Sequence, residues 1–133
     1  MKTVIKLLSI SLVLIMISCE KSSESKSEIN GNWIELINHQ DTISFLSWDS
    51  EDVFKLQRGY EMTNGYMLPK YGASIYRFKL TTDSIMINNM MWNCICFPSH
   101  YFKMNSTNDT FQIGNFYDTT EVATQRKTFF KIQ

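Results

Sequence analysis

The chain has 133 residues, with 13 lysines and arginines against 13 aspartates and glutamates, so its formal net charge is zero. That balance leaves no basic footprint for nucleic acid. Its length and its 44% hydrophobic and 14% aromatic content suit one packed core rather than several.

The chain opens with Lys2 and Lys6, followed by an apolar run over residues 7–17 that is broken only by Ser9 and Ser11. Such a run has the length of a secretion-signal core and is too short to stay in a bilayer as a spanning helix. It ends at Ser18-Cys19, with apolar Met16 and small Ser18 ahead of the cysteine. This pattern resembles the lipobox of bacterial lipoproteins. The resemblance implies cleavage before Cys19, attachment of diacylglycerol to the Cys19 thiol and acylation of the new amine. Residues 1–18 are then a signal peptide. Palmitate-type chains on Cys19 would hold the protein at a membrane, since each buried methylene contributes about 0.8 kcal/mol. The address this implies is the bacterial cell envelope, lipid-anchored, at the outer membrane.

Residues 19–28, within "CEKSSESKSEING", are dominated by Glu, Lys and Ser. They cannot bury enough apolar surface to offset ordering, and read as a flexible tether. Loss of Lys2 and Lys6 with the signal leaves 11 cationic residues against 13 carboxylates, a net charge of −2.

From residue 29 to 133 no helical period stands out, and apolar residues alternate with polar ones instead. "NWIELI" and "ISFLSW" are rich in strand formers. In "DVFKLQ", Phe54 and Leu56 oppose Lys55 and Gln57. In "IYRFKL", Tyr76, Phe78 and Leu80 oppose Arg77 and Lys79. "SIMIN" places Ile85 and Ile87 together, "YFKMN" Phe102 and Met104, and "TFQIGN" Phe111 and Ile113. "FFKI" is read with Phe130 and Ile132 inward, opposite Lys131. Turn-forming clusters such as "NHQD", "DSED", "TTDS" and "NSTND" separate these runs at intervals of about ten residues. The expected fold is all-β: a small antiparallel barrel of about eight strands, with longer loops at "RGYEMTNGYMLPKYGA" and "FYDTTEVATQRK". The inward set (Phe54, Tyr76, Phe78, Phe102, Phe111, Phe130) is bulky enough to fill a barrel of that size.

"INGNWIEL" resembles the Gly-x-Trp opening of lipocalin-like domains, with Gly31 and Trp33 at the motif positions. The later cadence "YRFKLTTDSIMI", "TNDTFQIGN" and "KTFFKIQ" is similar to small lipocalin-like domains on envelope lipoproteins. The resemblance implies that Trp33 packs across the closed end of the barrel. It also implies that binding of a small apolar ligand or an envelope partner belongs to the open end.

The only histidines are His39 and His100, and there is no nucleophile elbow, HExxH pair or phosphate-binding glycine loop. The expectation is a non-catalytic protein without cofactor or resident metal. With Cys19 lipidated, Cys94 and Cys96 are the remaining thiols, in an oxidising compartment. If residues 86–97 are extended, the two cysteines share a face with Cα atoms about 6.6 Å apart, near the upper limit of about 6.8 Å for a disulfide. Three readings stay open. The first is a pair of buried thiols in a Met-rich strand that leaves the sheet at Pro98. The second is a local disulfide made by curling the chain. The third is a copper or thiol-redox centre drawing on Met86, Met90, Met91, Cys94, Cys96 and His100, whose soft ligands suit copper(I).

Two further patterns remain. Asp-Thr-Ile, Asp-Ser-Ile and Asp-Thr-Thr resemble a three-residue O-glycosylation signal used on exported bacterial proteins, with Thr42, Ser84 and Thr119 as acceptors. The same tripeptides also suit the hand-over from turn to strand. Tyr60, Met62, Tyr66, Met67 and Tyr71 crowd one loop; as a lid over the mouth they would form a ligand or partner surface, and otherwise they pack over the open end. The function expected is therefore ligand or partner binding at the open end. The alternative is a protein-interaction or inhibitor module with a filled core.

Overall fold

The computed structural model of the protein describes residues 28–48, 51–119 and 125–132. Cys19, the segment read as a signal peptide and all of the segment read as a tether but residue 28 lie outside the described residues. Ten strands follow one another: β1 (Gly31–Glu35), β2 (Thr42–Trp48), β3 (Glu51–Gln57), β4 (Tyr60–Thr63), β5 (Tyr66–Pro69), β6 (Ser74–Leu80), β7 (Ser84–Asn89), β8 (Ser99–Met104), β9 (Thr110–Gly114) and β10 (Arg126–Ile132). Eight of them close into an antiparallel barrel in the order β1-β10-β9-β8-β7-β6-β3-β2, and β4 and β5 form a separate two-stranded ribbon. Every barrel strand pairs with its neighbour along the chain except that β3 skips the ribbon to reach β6, and β10 returns to β1 to close the ring. Closure removes the open edges that a sheet of this size would otherwise present.

The alternation read from the sequence puts Phe54, Leu56, Tyr76, Phe78, Ile85, Ile87, Phe102, Phe111 and Ile113 in the core. The last strand differs. Phe129 is fully buried, whereas Phe130 is half-buried and Ile132 is 37% exposed, so Phe130 does not belong to the inward set. The cause is register. Phe129 sits opposite inward Phe111 and Phe130 opposite Thr110, and cross-strand partners must share a face. Two adjacent phenylalanines carry no phase of their own. The loop expected at residues 58–73 also holds more structure than its turn-rich sequence suggested. Asn64 and Gly65 both have positive φ (52° and 83°), the signature of the tight turn that an Asn-Gly pair makes, and that turn joins β4 to β5.

The interior is filled by rings. Phe45 lies 5.3 Å from Phe54, 5.1 Å from Phe78 and 5.9 Å from Phe111 between centroids, and Phe111 stacks on Phe129 at 5.2 Å. Trp33 lies beneath them at 0% exposure, edge-on to Phe111 at 4.8 Å. Its Nε1 donates to the Ile29 carbonyl at 2.8 Å, and Lys131 Nζ stands over the ring at 5.2 Å while donating to the Glu28 carbonyl at 3.0 Å. Residues 28–29 are thereby held against the barrel floor by two side chains from β1 and β10. Gly31 makes this approach feasible. Its φ of +122° lies where side chains are strained, and a Cβ there would sit 3.3 Å from Lys131 Cε.

The up-and-down path gathers four connections at the end away from Trp33, at residues 36–41, 58–73, 90–98 and in the stretch that begins at residue 115. That rim is the barrel mouth.

Candidate ligand cleft at the barrel mouth

One side of the mouth is tied shut by Arg58, which follows directly after β3. Its Nε donates to Asp41 Oδ1 at 3.3 Å and its Nη2 to Asp118 Oδ2 at 2.7 Å, while Nη1 donates to the carbonyls of Tyr71 at 2.6 Å and Tyr117 at 3.5 Å. Burial works against the guanidinium charge, but Asp41 and Asp118 outweigh it, and the Arg58 pKa is raised. The Tyr117 hydroxyl donates to the second oxygen of Asp41 at 2.9 Å. Burial, reinforced by the Asp41 charge, holds this phenol protonated far beyond its ordinary range, so it stays a donor. Four chain segments thus meet on one guanidinium: the entry to β2, the end of β3, the lead-in to β6 and the connection after β9. Gly72 completes the contact. Its φ is +84°, and a Cβ there would fall 2.7 Å from the Tyr117 carbonyl oxygen.

Beside this knot lies a partly open cleft of about 310 Å³. Its walls come from Tyr71 and Tyr76, from Phe116 and Tyr117, from Trp92 in the loop after β7, and from His100. Tyr76 stacks on core Phe54 at 5.1 Å and meets Phe116 edge-on at 5.3 Å, so the aromatic core continues up into the cleft. Most polar groups of the lining are already engaged. The Tyr76 hydroxyl donates to the Gly72 carbonyl at 2.6 Å, and burial, with Tyr71 nearby, pushes its pKa up to about 12. Ser74 Oγ donates to Asn89 Oδ1 at 3.1 Å, which also accepts the Met91 amide at 2.9 Å. His100 is on the inward face of β8, opposite Ile85, and its ring lies 5.7 Å from Phe116. Burial lowers its pKa, so the imidazole is neutral at pH 7.

The stretch around the cysteines corrects the expectation of a buried Met-rich strand. β7 ends at Asn89, and residues 90–98 form a loop over the rim, with Met91 81% and Ile95 90% exposed. Asn88 explains the turn. Its side chain points outward from β7, is 5% exposed, and donates from Nδ2 to the carbonyls of both Cys94 and Cys96 at 2.7 Å. One buried amide satisfied by two loop carbonyls pins the loop to the barrel wall. Cys94 and Cys96 are joined in a disulfide, with Cα atoms 5.3 Å apart, closer than extended backbone would leave them. Replacing both cysteines by serine is expected to lower stability by about 1.5 kcal/mol, the loop-entropy value for so short a ring. The barrel should survive, because Asn88 holds backbone carbonyls rather than sulfur. A urea titration reads this directly, and a loss of the folded baseline would show that the bridge holds more than its own loop.

The soft-ligand set is divided by the same geometry. Met86 lies between inward Ile85 and Ile87 and so faces outward, whereas His100 faces inward, and the two sulfurs are taken by the bridge. Among the described residues no three His, Cys, Asp or Glu side chains form a metal-holding group.

Of the crowded loop residues, Tyr71 lines the cleft, Tyr60 lines a groove between the ribbon and the outer wall, and Met62, Tyr66 and Met67 stand exposed on the ribbon. The ribbon is therefore not a lid that closes the mouth. Thr42 is half-buried at the start of β2, the Ser84 hydroxyl shares a 2.6 Å hydrogen bond with Thr81, and Thr119 is exposed. Two of the three motif aspartates, Asp41 and Asp118, are the partners of Arg58. The Arg58 knot had no sequence signal, since its bonded partners lie 13 to 76 residues apart. The ribbon did have one, in Asn64-Gly65.

No protein-family model, no curated protein and no solved structure matches this chain.

Proposed function

We propose that this is a non-catalytic, lipid-anchored cell-envelope protein that takes a small apolar ligand in the cleft at its barrel mouth. The observation that carries the reading is the cleft itself: about 310 Å³, walled by rings continuous with the core, at the end where the long connections gather. Its size falls at the lower end of the range for small-molecule sites, about 300–1,000 Å³. The filled interior restricts binding to the mouth. The lipid anchor rests on the sequence around Cys19, and the lipocalin-like relation on Gly31 and on Trp33 at the floor.

A second reading is an interaction or inhibitor module, favoured by the exposed Tyr60, Met62, Tyr66 and Met67 of the ribbon, which together make an apolar surface of the kind partners cover. Native mass spectrometry of the protein extracted from its own membranes tests both. The expected result is a chain starting at Cys19 with acyl mass and a retained small molecule; hexose additions would mark Thr42, Ser84 or Thr119 as acceptors. A retained protein partner with no small molecule favours the ribbon reading. A chain starting at Met1 without acyl mass overturns the anchor.

A further inference from the structure

We infer that the mouth cleft selects a neutral aromatic molecule of one ring or a fused pair bearing a single hydroxyl or ring N–H, with the His100 imidazole as its hydrogen-bond partner. This rests on the reading of the cleft as a ligand site. Size sets the first limit: about 310 Å³ lies at the bottom of the range of small-molecule sites, about 300–1,000 Å³, and suits a small ligand better than a long acyl chain or an oligosaccharide. Shape sets the second. Tyr76, Phe116 and Tyr117 meet one another edge-on at 5.3 Å and 4.8 Å, and flat ligands add to such an array by the same offset or edge-to-face contacts.

Charge complementarity sets the third limit. The guanidinium beside the cleft, Arg58, is saturated by Asp41, Asp118 and two carbonyls. An anionic ligand would therefore enter without a counter-charge. The nearby carboxylates are engaged as well, Asp41 and Asp118 by Arg58 and buried Glu35 by the Asn38 amide, so a cationic ligand gains none either. Burying either ion unpaired is costly.

Hydrogen bonding sets the fourth limit. Tyr76, Ser74, the side-chain oxygen of Asn89 and Tyr117 each already have a partner within the protein, and the polar tips of Tyr71 and Trp92 belong to side chains 60% and 64% exposed, where water serves them. Among the described residues, His100 is the half-buried side chain of the lining for which no hydrogen bond is formed, and its neutral ring offers one donor and one acceptor. A sugar with many hydroxyls would leave most of them unsatisfied, whereas one hydroxyl or ring N–H is matched.

The test uses the full chain in lipid nanodiscs, with 13C-methyl methionine reporting on Met91 and 15N-histidine on His100. Phenol, toluene, benzoate and phenyltrimethylammonium are titrated separately. Phenol is expected to shift the Met91 methyl saturably and to move the His100 ring nitrogens, while toluene moves only the methyl. The phenol-to-toluene affinity ratio should fall about tenfold in His100→Phe, the effect of one hydrogen bond, and recover in His100→Gln. Both ions should bind at least about tenfold more weakly than phenol. If His100→Phe does not fold, the nitrogen shifts of the unmodified protein decide the matter. Equal binding of an ion, or ring nitrogens unmoved by bound phenol, overturns this inference and leaves the cleft a ligand site. Silence of Met91 to all four compounds overturns both.

Discussion

Replacing Arg58 by methionine is expected to destabilise the barrel by about 3–5 kcal/mol, the usual cost of leaving buried charges without their partner. The substitution keeps much of the aliphatic stem but removes the guanidinium donors from a site where Asp41 and Asp118 have side chains only 8% and 12% exposed. It also frees the carbonyls of Tyr71 and Tyr117. The loss should appear as a lower urea midpoint with an unchanged slope. Adding Asp41→Asn and Asp118→Asn to Arg58→Met should recover part of it, because the repulsion and desolvation of the carboxylates then vanish. A loss under about 1 kcal/mol for the single variant, in the range of exposed ion pairs, would mean that water reaches the knot and that it does not hold the mouth. Since Arg58 also positions Tyr117, which walls the cleft, the variant should weaken phenol binding even where it stays folded.

Trp33→Ala is expected to cost a similar amount, about 3–5 kcal/mol for a large buried aromatic. Three consequences add together. The ring leaves a cavity under Phe111, the Ile29 carbonyl loses its donor, and Lys131 loses the aromatic face beneath its ammonium. Trp33→Phe should restore part of the packing but not the hydrogen bond, and so fall between the two. Thermal unfolding of the three proteins measures the series. If Trp33→Ala unfolds within about 1 kcal/mol of the parent, the floor is loosely packed and residues 28–29 do not close it. The predicted effects lie at opposite ends of the barrel, so a double variant with Arg58→Met should be close to additive.

Alternating side chains make the barrel legible in the sequence. In β3, β6, β7, β8 and β9 each inward residue is two positions from the next, and the period of a strand leaves no other way to bury them together. Turn-forming clusters between the runs set the number of barrel strands. For Trp33 the closed-end position came only from the resemblance of Gly31 and Trp33 to a Gly-x-Trp opening; the structure buries the ring fully. The phase of β10 was not legible, because Phe129 and Phe130 are equally apolar, and only pairing with Phe111 separates them. The exposed cysteine loop was not legible either. Its composition suits a core, and the contact that draws it out of the sheet runs from Asn88 to backbone carbonyls that any residues could supply.

What the chain determines locally is the strand set of the barrel: strand period, turns and a filled interior each follow from residues within a few positions of one another. What only the tertiary structure decided is the mouth. Arg58, Asp41, Tyr117 and Asp118 come from three distant connections, and His100 acquires its place in the cleft only when β8 closes beside β7 and Phe116 folds over it. The physical reason is that a strand's period acts on every residue in it. A hydrogen bond between charged groups far apart in the chain instead depends on the closed barrel to bring them within reach.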